Sequence, residues 1–294
     1  MIRNFCIAAA FFMLVFSQVL RHARAEAPPH PPTTGPIVSL TLDSGQFPKH
    51  PGYYVIRGEG SIGDRSFRFG SGIFLPAIFG KTSAPLPIVM TLHNRGNSGS
   101  TGSEDIAREG LGMLLRTNWP DSRMTGEQPD HPLHLRKDAK FIGLIPQCPD
   151  GFEWNTPGMP AFLCKLIDAV SQHYHADNDR VYLTGFSYGA SNTWLVAMAE
   201  PQRFAAIAVM DGRATPDPAT DVAKLKDVAV YLSVGDTDGP FDAAADQMHV
   251  ALSDFPHRNF VWNIVKNGNH FCYYSVYRNP YFWQWLLAQR RHQN

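Results

Sequence analysis

The sequence predicts an α/β fold, a mostly parallel sheet with helices on both faces. Three observations carry that prediction. Between residues 87 and 289, short apolar runs alternate with amphipathic runs of helical period, the pattern of parallel strands joined by crossover helices. Residues 87–92 are almost continuously apolar, as a central strand buried on both faces must be. The chain has 294 residues, 44% hydrophobic and 18% charged, and a chain of that size buries roughly 75% of the surface it exposes when unfolded.

The N-terminus reads as an address. Arg3 precedes an apolar stretch at 5–20, and Ala23-Arg24-Ala25 offers small residues at the spacing of a signal-peptidase site. As a helix the stretch would reach about 24 Å, short of the roughly 30 Å of a bilayer core. Residues 1–25 are therefore expected to be a cleaved signal peptide and the protein secreted or periplasmic. No membrane span should remain after cleavage. Arg21 and Arg24 keep an uncleaved anchor open as the alternative. Loss of residues 1–25 removes three arginines, leaving 23 basic against 26 acidic side chains. That balance gives no basic field for nucleic acid. Residues 26–36 hold five prolines and read as an extended tether, and 37–294 as a single domain.

Within that domain, 53–57 and 66–75 flank a Gly-rich turn and predict antiparallel strands. Further strands are expected at 87–92, 141–145, 181–183, 205–210, 228–234 and 260–265. Helices are expected at 106–115, 162–173, 191–200, 242–252 and 281–289. In such sheets, ligands bind beyond the carboxyl ends of the strands. Cys148, Cys164 and Cys272 follow the signal segment; an oxidising compartment allows one bridge and leaves one thiol over.

Chemistry concentrates at those strand ends. Gly185-Phe186-Ser187-Tyr188-Gly189 is the single Gly-x-Ser-x-Gly of the chain. It lies between an expected strand and helix, as a nucleophile elbow requires. A serine hydroxyl needs a base. Of the histidines after Ser187, His270 alone directly follows a strand; His249 and His257 fall on or just past a helix, and His292 in the tail. The base needs a carboxylate to fix its tautomer, and 235–239 offers Asp236 and Asp238 beyond another strand. The order Ser, Asp, His is that of α/β-hydrolases. The oxyanion donors expected are the Tyr188 N–H and, from the loop after residue 92, the Arg95 N–H. Gly96, Gly99 and Gly102 make that loop pliable, and His93 reads as a hydrogen-bonded structural side chain. Trp154 follows a strand at the same edge, so it is a candidate to line the substrate groove, with core packing the alternative. His131/His134 and His173/His175 lack the convergent ligands a metal needs; no metal and no cofactor are expected.

The segment Asp179 to Gly189 closely resembles the elbow of the polyhydroxybutyrate depolymerase and feruloyl/acetylxylan esterase-like group of α/β-hydrolases. Leu92-His93, the Gly-x-x-Asp of Gly235 to Asp238 and the Gly-x-His of Gly268 to His270 look like its other landmarks. The resemblance spans about 85–289. It implies a secreted serine esterase with Ser187 as nucleophile, Asp238 as acid and His270 as base. Its substrate would be an ester, with acylated polysaccharide and polyester both in range. Asn94 departs from the glycine usual after the loop histidine. The same residues admit a serine peptidase, or a catalytically silent glycan- or wall-binding protein on the same fold.

Overall fold

The computed structural model describes residues 35–95, 97–99, 104–117, 126–256 and 259–291. The expected signal segment and most of the tether lie outside those residues, as do Gly96, Gly102, His257 and His292. Three antiparallel strands open the described fold: β1 (Val38–Leu42), β2 (Gly52–Ile62) and β3 (Arg65–Leu75). The strands β4 (Ile88–Leu92), β5 (Ile142–Pro146), β6 (Val181–Phe186), β7 (Ala206–Met210), β8 (Ala229–Gly235) and β9 (Phe260–Val265) follow. They pair in the order β1-β2-β3-β5-β4-β6-β7-β8-β9. The ladders from β5 through β9 are parallel, and β3 joins β5 antiparallel. Parallel neighbours need crossovers. These are supplied by α1 (Gly110–Arg116), α2 (Leu135–Asp138), α3 (Met159–Tyr174), α4 (Tyr188–Ala199), α5 (Pro218–Asp221) and α6 (Pro240–Asp254), with α7 (Tyr273–Arg278) and α8 (Pro280–Ala288) closing the chain.

Every residue of β4 to β8 is buried, and successive side chains point to opposite faces. Ile88, Met90 and Leu92 join the layer of Leu163, Leu166, Ile167 and Val170 from α3 and Trp194 from α4. Val89 and Tyr182 point the other way, toward Leu111 and Leu114 of α1 and Phe282 and Trp283 of α8. Each large apolar side chain so buried contributes about 1.5–3 kcal/mol. That two-faced core holds the strand ends in register, and so fixes the loops that leave them.

Three elements differ from the sequence reading. β1 falls where only a tether and an unassigned segment are expected, though Val38, Leu40 and Leu42 alternate inward against Ser39 and Thr41. The helix expected at 106–115 is two pieces, a 3-10 turn at Glu104–Ala107 and then α1. Glu109 is extended and Gly110 adopts φ +65°, a left-handed conformation that ends one helix and starts another. α7 is an extra helical turn and a half between His270 and α8. Among the described residues, no helix is long and apolar enough to cross a membrane, and Cys148, Cys164 and Cys272 are all free thiols. The bridge that an oxidising compartment would allow is not formed among these three, and the thiols have other places. Cys148 donates to the Phe152 carbonyl at 3.3 Å and Cys272 to Asp211 at 3.0 Å, while Cys164 lies on α3.

Candidate active site

Ser187 stands alone between the last residue of β6 and the first of α4. To turn that sharply it adopts φ 56° and ψ −119°, a conformation that costs a non-glycine residue about 1–3 kcal/mol. The turn is held by the Ser187 N–H donating to the Met210 carbonyl at 3.0 Å. Gly189 is required by close approach: a Cβ there would lie 2.1 Å from the Leu92 carbonyl oxygen. The elbow thus sits directly on the end of β4. Because Tyr188 opens the helix, its N–H is one of the donors that a helix N-terminus leaves without an intrahelical partner.

His270 and Asp238 are brought to Ser187 by two loops that touch backbone to backbone. A Cβ on Gly235 would lie 2.4 Å from the Gly268 carbonyl oxygen, and Thr237 donates to that oxygen through its hydroxyl at 2.6 Å and its N–H at 2.9 Å. His270 Nε2 is 2.8 Å from Ser187 Oγ, and His270 Nδ1 is 2.9 Å from Asp238 Oδ2. An ionised carboxylate only accepts, so Nδ1 carries the hydrogen and Nε2 presents its lone pair to the serine hydroxyl. The Asp238 side chain is 5% exposed and that of His270 27%. Phe241 at 4.3 Å and Phe186 at 5.1 Å flank the imidazole.

The exposed Asp236, two residues before Asp238, accepts no side-chain hydrogen bond among the described residues; Thr237 and the backbone close that turn. A carboxyl that the sequence reading passed over, the fully buried Asp211, accepts the N–H of Gly235 from the same loop at 3.1 Å. It is the first residue past β7, and its place at the strand-end edge is the signal that pointed to it.

The loop after β4 is fastened where it is described. His93 is buried, donates from Nδ1 to the Asn94 carbonyl at 2.8 Å, and accepts the Cys148 N–H at Nε2 at 2.9 Å. Asn94, the departure from glycine, donates its amide to Glu109 and accepts from the Asn97 amide at 2.7 Å. The Gly99 N–H donates to the Cys148 carbonyl at 2.9 Å, so the described glycine of this loop is tied down. Arg95 is exposed, with its guanidinium 4.9 Å from the centre of the Tyr188 ring. Trp154 does not line a groove. It is 0% exposed, packs on His93 with ring centres 4.8 Å apart, and donates its indole N–H to the His93 carbonyl at 3.3 Å. Its role is to support the loop from below. His249 stacks on Trp262 at 4.8 Å and His173 on Phe47 at 4.1 Å. Among the described residues, no three His, Cys, Asp or Glu side chains converge as metal ligands.

Burial lowers the His93 imidazole to about 4, against the opposing hydrogen bond to Asn94. The unfolded chain, with histidine near 6.5, therefore binds more protons between these values. Stability should fall as pH drops from about 6.5 to about 4, by about 3 kcal/mol from this residue. Urea midpoints at pH 7 and 4.5 for wild type and His93→Asn test this. The variant should start weaker and lose less on acidification; equal losses would remove His93 as the cause.

No protein-family model matches the chain, and neither does any curated protein. Solved structures do. The chain is similar to a thermostable esterase, with TM-score 0.60 and 20% identity over 87% of this chain and 63% of that one. It spans less than two thirds of that esterase. It is also similar to a mutant of the feruloyl esterase module from Clostridium thermocellum complexed with sinapinate (TM-score 0.57, 13% identity, 88% and 98% covered). The fold is that of the α/β-hydrolases. An S-formylglutathione hydrolase from Agrobacterium tumefaciens shares it (TM-score 0.52, 12% identity, 85% and 98% covered). Feruloyl esterases are thus among the α/β-hydrolases that resemble this chain in structure, as its elbow resembles theirs in sequence.

Proposed function

We propose that this α/β-hydrolase is an exported serine esterase that cleaves carboxylic esters through an acyl-enzyme. The observation that carries the reading is the relay of two hydrogen bonds, Ser187 to His270 and His270 to Asp238. Ser187 Oγ attacks the acyl carbon as His270 Nε2 takes its proton. Asp238 holds the tautomer and stabilises the imidazolium. The Tyr188 N–H and the Arg95 N–H receive the oxyanion. His270 then protonates the leaving alcohol, and water repeats the attack on the acyl-enzyme to release the acid. No cofactor and no metal enter the reaction. Solved neighbours include enzymes complexed with sinapinate and with ferulic acid, which supports aromatic acyl groups; the resemblance of the elbow adds acylated polysaccharide, with polyester the second class. Export is supported by the apolar segment at 5–20 and the small residues before Glu26.

The test uses the protein recovered outside the cytoplasm, whose N-terminus should be Glu26. A fluorophosphonate should label it at Ser187, and p-nitrophenyl esters of increasing chain length, feruloyl esters and acetylated xylan should rank its substrates. Labelling with turnover of peptides but not esters would make it a peptidase. No labelling of the folded protein would leave a glycan-binding protein on the same fold.

A further inference from the structure

We propose that Arg213 receives a carboxylate on the leaving alcohol, so that the preferred substrates are esters whose alcohol half is acidic; on an acylated polysaccharide, that half is an acidic sugar. This deepens the esterase reading and rests on His270 as the group that protonates the leaving oxygen.

Arg213 is anchored at the elbow and reaches to the base. It lies in the loop that follows β7. Gly212 brings that loop against the first turn of α4, since a Cβ there would lie 2.8 Å from the Ala190 Cβ. The Arg213 N–H donates to Ser191 Oγ at 2.9 Å, and that hydroxyl donates to the Ser187 carbonyl at 3.1 Å. The backbone of Arg213 is thus tied through one side chain to the nucleophile. Its exposed side chain sets the guanidinium 5.8 Å from the centre of the Phe241 ring, inside the range at which an aromatic face attracts a cation. Phe241 in turn lies 4.3 Å from the His270 ring and is partly exposed, whereas Phe186, on the same imidazole at 5.1 Å, is buried. One aromatic ring therefore separates the guanidinium from the base.

That placement decides which half of the ester the guanidinium meets. The leaving oxygen must reach His270 Nε2 to be protonated, so the alcohol lies against the imidazole and the partly exposed ring beside it. A guanidinium over a ring keeps its edge N–H groups, a planar fork that matches a carboxylate. Arg180, Arg203, Arg290 and Arg291 each hold a carboxylate of the protein. Arg213 holds none among the described residues, and its side chain donates no hydrogen bond among them. Asp242, next to Phe241 in sequence, has the acids Asp246, Asp238 and Asp236 as its charged neighbours and does not pair with Arg213. Arg95 adds a second guanidinium without an acceptor among the described residues, 4.9 Å from the ring of Tyr188. Two cations without counter-ions around a partly exposed serine draw in an anionic substrate.

The experiment uses the full chain and soluble esters. The compound meta-carboxyphenyl acetate carries its charge on the alcohol, and the matching carboxamide is neutral. Monophenyl adipate against phenyl hexanoate places the charge on the acyl half instead. At low ionic strength wild type should favour the carboxyphenyl ester over the carboxamide by about tenfold in kcat/KM, and added salt should erode that preference. Arg213→Gln should abolish it, and Arg213→Lys should keep part of it, because the charge remains but the fork does not. No preference in wild type, or an equal one in Arg213→Gln, overturns the proposal. A preference confined to the adipate pair does so too, by moving the anion to the acyl half. Arg213→Gln should also slow acetyl release from acetylated galacturonan more than from acetylated xylan; equal slowing would remove the acidic sugar. Should wild type turn over none of these esters, the esterase reading fails first. Nuclear magnetic resonance of the Arg213 guanidinium N–H groups, assigned with Arg213→Gln, then still decides: a shift with benzoate and none with benzamide upholds the carboxylate site, and no shift with benzoate overturns it.

Discussion

Replacing Ser187 by alanine should abolish ester turnover and fluorophosphonate labelling while leaving the protein folded. In a serine protease on another fold, removal of the nucleophile costs on the order of 10⁶ in kcat, and a loss of at least about 10³ is expected here. The hydroxyl spans 2.8 Å to His270 Nε2 and is not part of the core, so the substitution leaves no cavity. Ser187→Gly extends the test. Glycine accepts φ 56° without strain, so this variant should be equally inactive and more stable than wild type by about 1 kcal/mol. Turnover and thermal midpoints of both variants check the pair. Residual activity above a hundredth of wild type would move the nucleophile elsewhere.

The two acids of the loop after β8 should separate just as sharply. Asp238→Asn keeps the shape of the side chain but presents an amide to His270 Nδ1 and favours the wrong tautomer. The equivalent change in a serine protease costs about 10⁴ in kcat, and at least a hundredfold is expected. Asp236→Asn should alter turnover less than twofold and stability by less than about 0.5 kcal/mol, since that exposed carboxylate holds no bond among the described residues. Rates at pH 8 on one ester, with circular dichroism to confirm folding, decide between them. A dead Asp236→Asn would reassign the acid.

The residues that were legible in the sequence are those whose place follows from local pattern. β9 matches its expected run at Phe260–Val265 residue for residue, because five β-formers around Asn263 lie between turn residues. The central strands were legible because burial on both faces demands unbroken apolarity. Ser187, Asp238 and His270 stand at strand ends in an order that few folds share, and the structure brings them within hydrogen-bond reach. What escaped depended on long-range neighbours. Trp154 looks like a groove residue by position, and only the packing of His93 over its ring puts it in the core. Asp211 carries no motif, and only the neighbours that the fold brings to it, the Gly235 N–H and the Cys272 thiol, mark it out. Gly110 offered a warning of the break before α1, but an isolated glycine is tolerated in a helix. The thiols are kept apart by tertiary placement, which spacing along a chain does not encode.

β9 ends the described sheet, with Ile264 54% exposed on that outer strand. Its sequence, Phe-Val-Trp-Asn-Ile-Val, contains no proline, glycine or charge, the composition from which intermolecular β-pairing starts. In the folded protein the segment is restrained from three sides. Its inner edge pairs with β8, Asn263 donates to the Ser233 hydroxyl at 2.8 Å, and Trp285 of α8 reaches Asn259 at 3.4 Å. Lys266 follows at once, a charge of the kind that guards such segments against self-association. The strand that leads to His270 is therefore also an aggregation hazard, and helix α8 that packs beside it protects solubility as much as it completes the fold.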